Sequence, residues 1–307
     1  MALSTTLGGF VTDLVGTGTA ATATPYPAIY AFGDSLSDVG NVATLTLGQL
    51  PVSPPYDAGR FSNGPIWIED LAQKFGLGGI KPSLGGGTDF AYGGAQTGTT
   101  PVHTGNPIDL NAQLTQFQTQ DPKPAPGALY SVWAGSNDVL SVLNPSVTDP
   151  VAVVDAAVNN EMKFITGLVQ GGAQNLLVLT VPDVGMTPDS VGQGAAYVQA
   201  ASNASLYYDY QLGTQLQQLA ASTPVHVTVV DMFSLLDSAI ANPAAFGFSN
   251  VFTPVWSGGL TDPNSGVLQT SDPAAQNGYL FWDGLHPTTA THAVIANEVF
   301  AHLTGTA

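Results

Sequence analysis

The feature that most constrains this chain is a set of short apolar runs, each closed by glycine or followed by a polar break. Ala28-Ile29-Tyr30-Ala31-Phe32 stops at Gly33, Leu129 to Ala134 stops at Gly135, and Leu176 to Val181 stops at Pro182. Val225 to Val230 is another such run, and Phe90-Ala91-Tyr92 before Gly93-Gly94 is a shorter one. Near-continuous apolar runs of this length suit strands buried on both faces. Between them lie stretches of helical spacing: 63–77 with an Asn start and Pro65 near the first helical position, 150–169 ended by Gly171-Gly172, 195–221, 232–241 and 289–303. Strands alternating with helices in this way predict a parallel sheet covered by helices, a three-layer α/β/α sandwich. Residues 1–26 read as a loosely ordered lead-in, 27–307 as a single domain, and the Pro/Gly/Asn-rich stretches 96–128 and 242–280 as irregular. In open parallel sheets ligands sit outside the carboxyl ends of the strands. The chemistry is therefore to be sought just after Phe32, Tyr92 and Ala134.

Composition narrows the partners. Hydrophobic residues are 44% of 307, enough for a sizeable core, whereas charged residues are only 9%, against about 25% in an average soluble protein. The 22 acidic residues face five basic ones (Arg60, Lys74, Lys81, Lys123 and Lys163) scattered along the chain, for a net charge of −17. No basic patch exists to neutralise phosphates, which excludes nucleic acid, and an anionic membrane surface would repel the chain. Neutral or apolar substrates are accommodated more easily. There is no cysteine, so disulfides, thiolate catalysis and cysteine metal sites are excluded. No run approaches the ~20 apolar residues of a membrane span. The first 27 residues lack the basic and apolar regions of an intact signal peptide. Scarce lysine, abundant small polar residues and no cysteine nevertheless point to an exported bacterial protein, secreted or periplasmic.

Two short segments carry candidate chemistry. Gly33-Asp34-Ser35-Leu36 places a serine on a tight turn at the rim of the sheet; an Asp or Ser helix cap after a glycine turn would look the same. Asp283-Gly284-Leu285-His286-Pro287 sets a carboxylate and an imidazole three residues apart on one turn. The carboxylate can hold one ring nitrogen and leave the other to accept a proton from a serine, although an isolated D-x-x-H also occurs as an ordinary loop histidine. The G-x-S-x-G elbow of α/β-hydrolases is absent. His103, His226, His292 and His302 show no metal-ligand spacing; the last two sit on the final helix and read as surface or packing residues. Asp38 and Asn41 read as braces for the serine loop, or as helix caps. Tyr56, Phe61, Trp67, Trp133 and Trp282 are candidates for a substrate pocket, or for the core.

Taken together, the segments resemble the GDSL (SGNH) hydrolases. Gly33-Asp34-Ser35-Leu36 is similar to the first block of that family and Phe90-Ala91-Tyr92-Gly93-Gly94-Ala95 to the second. Gly135-Ser136-Asn137-Asp138 is similar to the third block, G-x-N-D, and Asp283 to Pro287 to the last, D-x-x-H-P. The blocks occur in family order over almost the whole chain. Val181-Pro182-Asp183-Val184-Gly185 resembles a further family stretch of structural role, and Asp89 stands where an asparagine is common. The resemblance implies the SGNH-hydrolase, flavodoxin-like version of the α/β/α sandwich and no cofactor. It also implies a triad of Ser35 as nucleophile, His286 as general base and acid, and Asp283 as the orienting carboxylate. The implied oxyanion hole uses the backbone N–H groups of Ser35 and Gly94, with Gly93 as the alternative to Gly94, and the side-chain amide of Asn137. The activity it implies is hydrolysis of a small-molecule or lipid carboxylic ester through an acyl-enzyme. Phospholipase, acyltransferase or carbohydrate acetylesterase activity is the alternative, and a binding protein that kept the fold is the rival outside enzymes.

Overall fold

Alternation along the strands builds the molecule. In the computed structural model, which describes residues 13–14 and 26–306, five strands form one sheet. These are β1 (Asp13–Leu14), β2 (Ile29–Gly33), β3 (Leu129–Trp133), β4 (Asn175–Leu179) and β5 (His226–Val230), in spatial order β1-β5-β4-β3-β2. β2 to β5 are parallel, and β1 is an antiparallel pair of residues on the far edge. Tyr30, Phe32, Tyr130, Val132, Leu176 and Val178 point to one face and join one buried cluster. Ile29, Ala31, Leu129, Trp133, Leu177 and Leu179 point to the other and join a second. Both faces are apolar because both are covered, which is why the strand sequences do not alternate with polar residues.

The helices are α1 (Asn41–Leu45), α2 (Trp67–Lys74), α3 (Leu110–Gln120), α4 (Ser136–Val142), α5 (Pro150–Gln170), α6 (Pro188–Gly192), α7 (Ala195–Ser222), α8 (Met232–Ala241), α9 (Pro273–Gln276) and α10 (Thr289–Thr304). α3, α5 and α7 supply the cover of the first face, and α2, α10 and the start of α8 that of the second. α5 begins where Asp149 accepts the Ala152 N–H with Pro150 at the first position, and α10 where Thr288 accepts the Thr291 N–H, both ordinary N-caps.

Three expectations change. Neither stretch expected to be irregular is wholly so: 96–128 contains α3 and 242–280 contains the short helix α9. Phe90-Ala91-Tyr92 does not form a strand of its own; its segment joins β2 through a single parallel bridge, Ala31 to Asp89, before Gly93-Gly94 turns the chain away. The helix expected from Asn63 starts at Trp67, because the Asn63 side chain is engaged elsewhere, accepting from Thr289 N and donating to Gln276 Oε1. The lead-in 1–26 lies outside the described residues except for Asp13, Leu14 and Tyr26.

Candidate active site

β2, the segment bridged to it and β3 deliver three turns to one edge of the sheet. At the end of β2, Gly33 (φ +140) lies so close to Trp133 that a Cβ would come 1.9 Å from its carbonyl oxygen. Gln113 of α3 clamps this glycine at both ends, accepting from its N–H at 3.0 Å and donating to its carbonyl at 2.8 Å. Ser35 follows on a turn in which the N–H groups of Ser37 and Asp38 both donate to Asp34 O. The Asp38 carboxylate then accepts from the N–H groups of Gly40, Asn41, Val42 and Gly93. The Asn41 amide donates to the carbonyls of Asp89 and Ala91. Asp38 therefore caps the start of α1, and Asp38 and Asn41 together lash the serine turn to the segment that follows the bridge.

Asp89 is fully buried and accepts from Val39 N and Ala91 N. Burial, with the Asp38 charge beside it, pushes its carboxyl well above the ordinary range. The side chain thus serves local backbone donors.

Ser35, Asp283 and His286 come together in one buried row. His286 Nδ1 is 2.8 Å from Asp283 Oδ2, and His286 Nε2 is 2.9 Å from Ser35 Oγ. A proton on Nδ1 facing the carboxylate leaves Nε2 to accept from the serine hydroxyl. The three residues are 8%, 5% and 6% exposed, so their interactions are little screened by water. Burial pulls the imidazolium of His286 down, but Asp283, with Asp34 and Asp189 behind it, outweighs that and leaves the histidine above its ordinary value. Burial pushes Asp283 up, but the His286 charge and hydrogen bonds from His286 and Tyr56 bring it below the usual carboxylate value.

The donors expected for the oxyanion hole differ in what they already hold. Gly93 N is already spent on Asp38, whereas neither Gly94 N nor Ser35 N has an acceptor among the described residues. Of the two glycines, Gly94 is therefore the one with a free donor. Gly93 has a different reason to be glycine: a Cβ there would strike the Phe61 ring at 2.2 Å. Asn137 stands in the first turn of α4, where its Nδ2 donates one hydrogen to Ala95 O at 2.9 Å and keeps a second to offer. Its neighbour Asp138 accepts from Thr97 N and Thr97 Oγ1, so both side chains bind the helix start to residues 95–97. Ser35, Asn137 and His286 line one cavity.

The sequence did not reveal what holds the Asp283–His286 turn. Tyr56 donates to Asp283 Oδ2 at 2.7 Å, Phe61 packs its ring 5.3 Å from that of His286, and Ser62 Oγ donates to Pro287 O at 2.8 Å. With Asn63 on Thr289 N, one loop grips the whole turn from more than 220 residues away. Nothing in a single sequence marks a pairing over that distance; the local signal is the density of aromatic and hydrogen-bonding residues on both sides of Gly59. The five candidate aromatics are all buried. Trp133 lines the cavity, Tyr56 and Phe61 support the triad, and Trp67 donates to Ser37 Oγ. Pro182 and Val184, expected to be structural, also line the cavity. His292 is a buried packing residue, with its imidazole pushed down to about 3 by burial first and by the His286 charge second.

This arrangement, a serine and an Asp–His pair at the carboxyl edge of a parallel sheet, defines a serine hydrolase of the α/β/α class. The chain belongs to the GDSL-like lipase/acylhydrolase family, whose model matches residues 29–299, and it is a carboxylic ester hydrolase. It is 31% identical to a phosphatidylcholine-sterol acyltransferase of Aeromonas hydrophila, over 88% of each chain. It is 27% identical to a GDSL esterase/lipase of Arabidopsis thaliana, over 90% of this chain and 87% of the relative. Among solved structures the fold is shared with LAE5, an alpha/beta hydrolase enzyme from the metagenome of Lake Arreo (TM-score 0.50, 16% identity, 93% of this chain and 99% of that one). It is also shared with a Lactobacillus plantarum protein (TM-score 0.50, 13% identity, 92% and 99%). Among the described residues no helix is long and apolar enough to cross a membrane.

Proposed function

We propose that the chain hydrolyses carboxylic esters through an acyl-enzyme formed on Ser35. His286 takes the serine proton as Oγ attacks the carbonyl, and Asp283 holds the imidazole in the tautomer that permits this and stabilises the imidazolium that results. The developing oxyanion lies against Ser35 N, Gly94 N and the free hydrogen of the Asn137 amide, which are fixed before charge appears. His286 then protonates the leaving alcohol, and water repeats the sequence. The observation that carries this reading is the row Ser35 Oγ–His286 Nε2 at 2.9 Å and His286 Nδ1–Asp283 Oδ2 at 2.8 Å. The test is labelling with a fluorophosphonate followed by peptide mass spectrometry. The adduct is expected on Ser35 and absent in Ser35→Ala, which should lose ester hydrolysis while keeping the wild-type melting temperature; an adduct on another serine refutes the assignment.

Acyl transfer is the second reading, favoured by the name of the 31% identical relative. It uses the same acyl-enzyme with an alcohol in place of water. Product analysis in the presence of an acceptor alcohol separates the two, since transfer yields a new ester and hydrolysis only free acid. The remaining parts of the proposal are that residues 27–307 act as one catalytic unit and that the protein is exported. Fractionation of cells expressing the full-length protein tests the second.

A further inference from the structure

Two recesses share Asn137 and Leu140, the first of them reaching Ser35, and they differ in kind. The first starts at Ser35 and His286 and runs between α8 and α10. Beyond its mouth it is walled by apolar side chains, among them Met232, Leu236, Ala239, Phe248, Phe281 and Val294. Met232 stands beside the end of β5, and Ala239 lies seven residues further along α8, which is about 10 Å of helix axis. The second recess opens past Gly94 and Asn137; its polar lining is Gln96, Ser141, Asn144, Ser146, Gln193 and Tyr197, alongside five apolar residues. The apolar cavity holds about 80 Å³ and the polar groove about 740 Å³. No carboxylate, ammonium, guanidinium or imidazole lines the groove.

An ester bound for attack by Ser35 sends its acyl and alcohol parts in different directions from the carbonyl carbon. A hydroxylated group in the apolar cavity would give up its hydrogen bonds to water and gain none, so the acyl chain belongs there. The groove offers amide, hydroxyl and phenol groups, which suit a hydroxylated alcohol. It offers nothing to a phosphate: Arg60 is engaged by Asp57 and Glu69, no lysine lines the groove, and the net charge of −17 repels an anion.

We propose that the preferred substrates are medium-chain acyl esters of uncharged polyhydroxy alcohols, with the chain between α8 and α10 and the alcohol in the groove beside α4. The shared chemistry is a neutral polyol, whether glycerol or a sugar. This rests on the ester-hydrolase reading above, and the test separates the two. kcat/KM is measured, with each ester below its micellar concentration, on p-nitrophenyl octanoate, monooctanoylglycerol, an octanoyl glucose ester, octanoyl lysophosphatidylglycerol and monoacetylglycerol. The expected result is that at least one of the two octanoyl polyol esters exceeds the lysophosphatidylglycerol at least tenfold and monoacetylglycerol by a similar margin. Whether the glycerol or the glucose ester leads identifies the polyol. Gln193→Lys, an exposed change in the groove, should narrow the gap to the anionic ester at least threefold. Equal or faster cleavage of the lysophosphatidylglycerol, preference for acetyl, or an unchanged gap in Gln193→Lys overturns the proposal while p-nitrophenyl octanoate is still cleaved. If that activated ester is not cleaved either, the ester-hydrolase reading itself has failed.

Discussion

The two halves of the site are held in place by different means. Ser35, Gly94 and Asn137 sit directly after β2, after the segment bridged to β2, and after β3, where the backbone ladder and two buried clusters fix them. Asp283 and His286 sit in a long stretch with no named strand, between the short helix α9 and α10. Their turn is fixed by its own hydrogen bonds, Leu285 N and His286 N to Asp283 Oδ1, and by side chains of residues 56–63. A strand-borne half is positioned by the fold as a whole, whereas a loop-borne half depends on a few contacts that single substitutions can remove. The first should resist perturbation and the second should be tunable.

The sharpest way to break that contrast is to remove chemistry from the loop-borne half. His286→Ala should lower kcat by roughly 10⁴-fold or more, with an unchanged melting temperature; substantial residual turnover would mean another base serves Ser35. On the strand-borne half, Asn137→Ala should lower kcat by about 10²–10³ with KM much less affected. A near-normal kcat would remove Asn137 from the oxyanion hole.

Tyr56→Phe probes positioning alone. Its hydroxyl stabilises the Asp283 carboxylate, and a hydrogen bond to the charged form keeps that form favoured. Without it the carboxylate is less compensated and draws the His286 pKa further up. Since His286 must be neutral to act, wild-type kcat/KM should rise with pH along a limb lying above the ordinary histidine value of about 6.5, in line with the raised direction noted above. In Tyr56→Phe that limb should move to still higher pH, with kcat at its plateau lowered about tenfold, or 1.4 kcal/mol. A purely structural tyrosine would lower the melting temperature and leave the limb where it was.

The smallest effect on activity is expected beneath Asn137. Gly135 packs on Tyr208, whose hydroxyl donates to the fully buried Glu161 at 2.5 Å. Burial raises the Glu161 carboxyl from 4.5 to about 8, against the lowering pull of the Tyr208 hydrogen bond. Between those pH values the unfolded chain has lost a proton that the folded one keeps, so this group's contribution to stability falls as pH rises. Glu161→Gln, which keeps an acceptor for Tyr208, should therefore gain in melting temperature relative to wild type as pH goes from 5 to 8, with little change in kcat. A difference that does not vary with pH would show that Glu161 is ionised throughout.

The same contrast explains what could be read from the sequence. β2, β3, β4, β5, α5, α7, α8 and α10 were legible because each buries a face, and burial leaves a periodic trace. α3 was not: Leu110, Gln113 and Phe117 are its buried residues, and a helix that turns a glutamine inward to clamp Gly33 shows no continuous apolar stripe. The meeting of Ser35, Asp283 and His286 was legible because their turns keep local spacing and family order. The grip of residues 56–63 was not, since it exists only once chain ends more than 200 residues apart have met.

One consequence follows for how the molecule behaves among its neighbours. β2, the strand that carries the serine, is the last in the sheet, and a bare terminal strand is a template on which other chains can grow. Here residues 88–92 occupy its free donors and acceptors: Ala31 N donates to Thr88 O, Phe90 N to Ala31 O, and Tyr92 N to Gly33 O. The segment that ends in Gly94 is thus also the selvedge of the sheet. Loosening it to admit bulkier esters would expose an adhesive rim, so colloidal behaviour limits how far this part of the site can be redesigned.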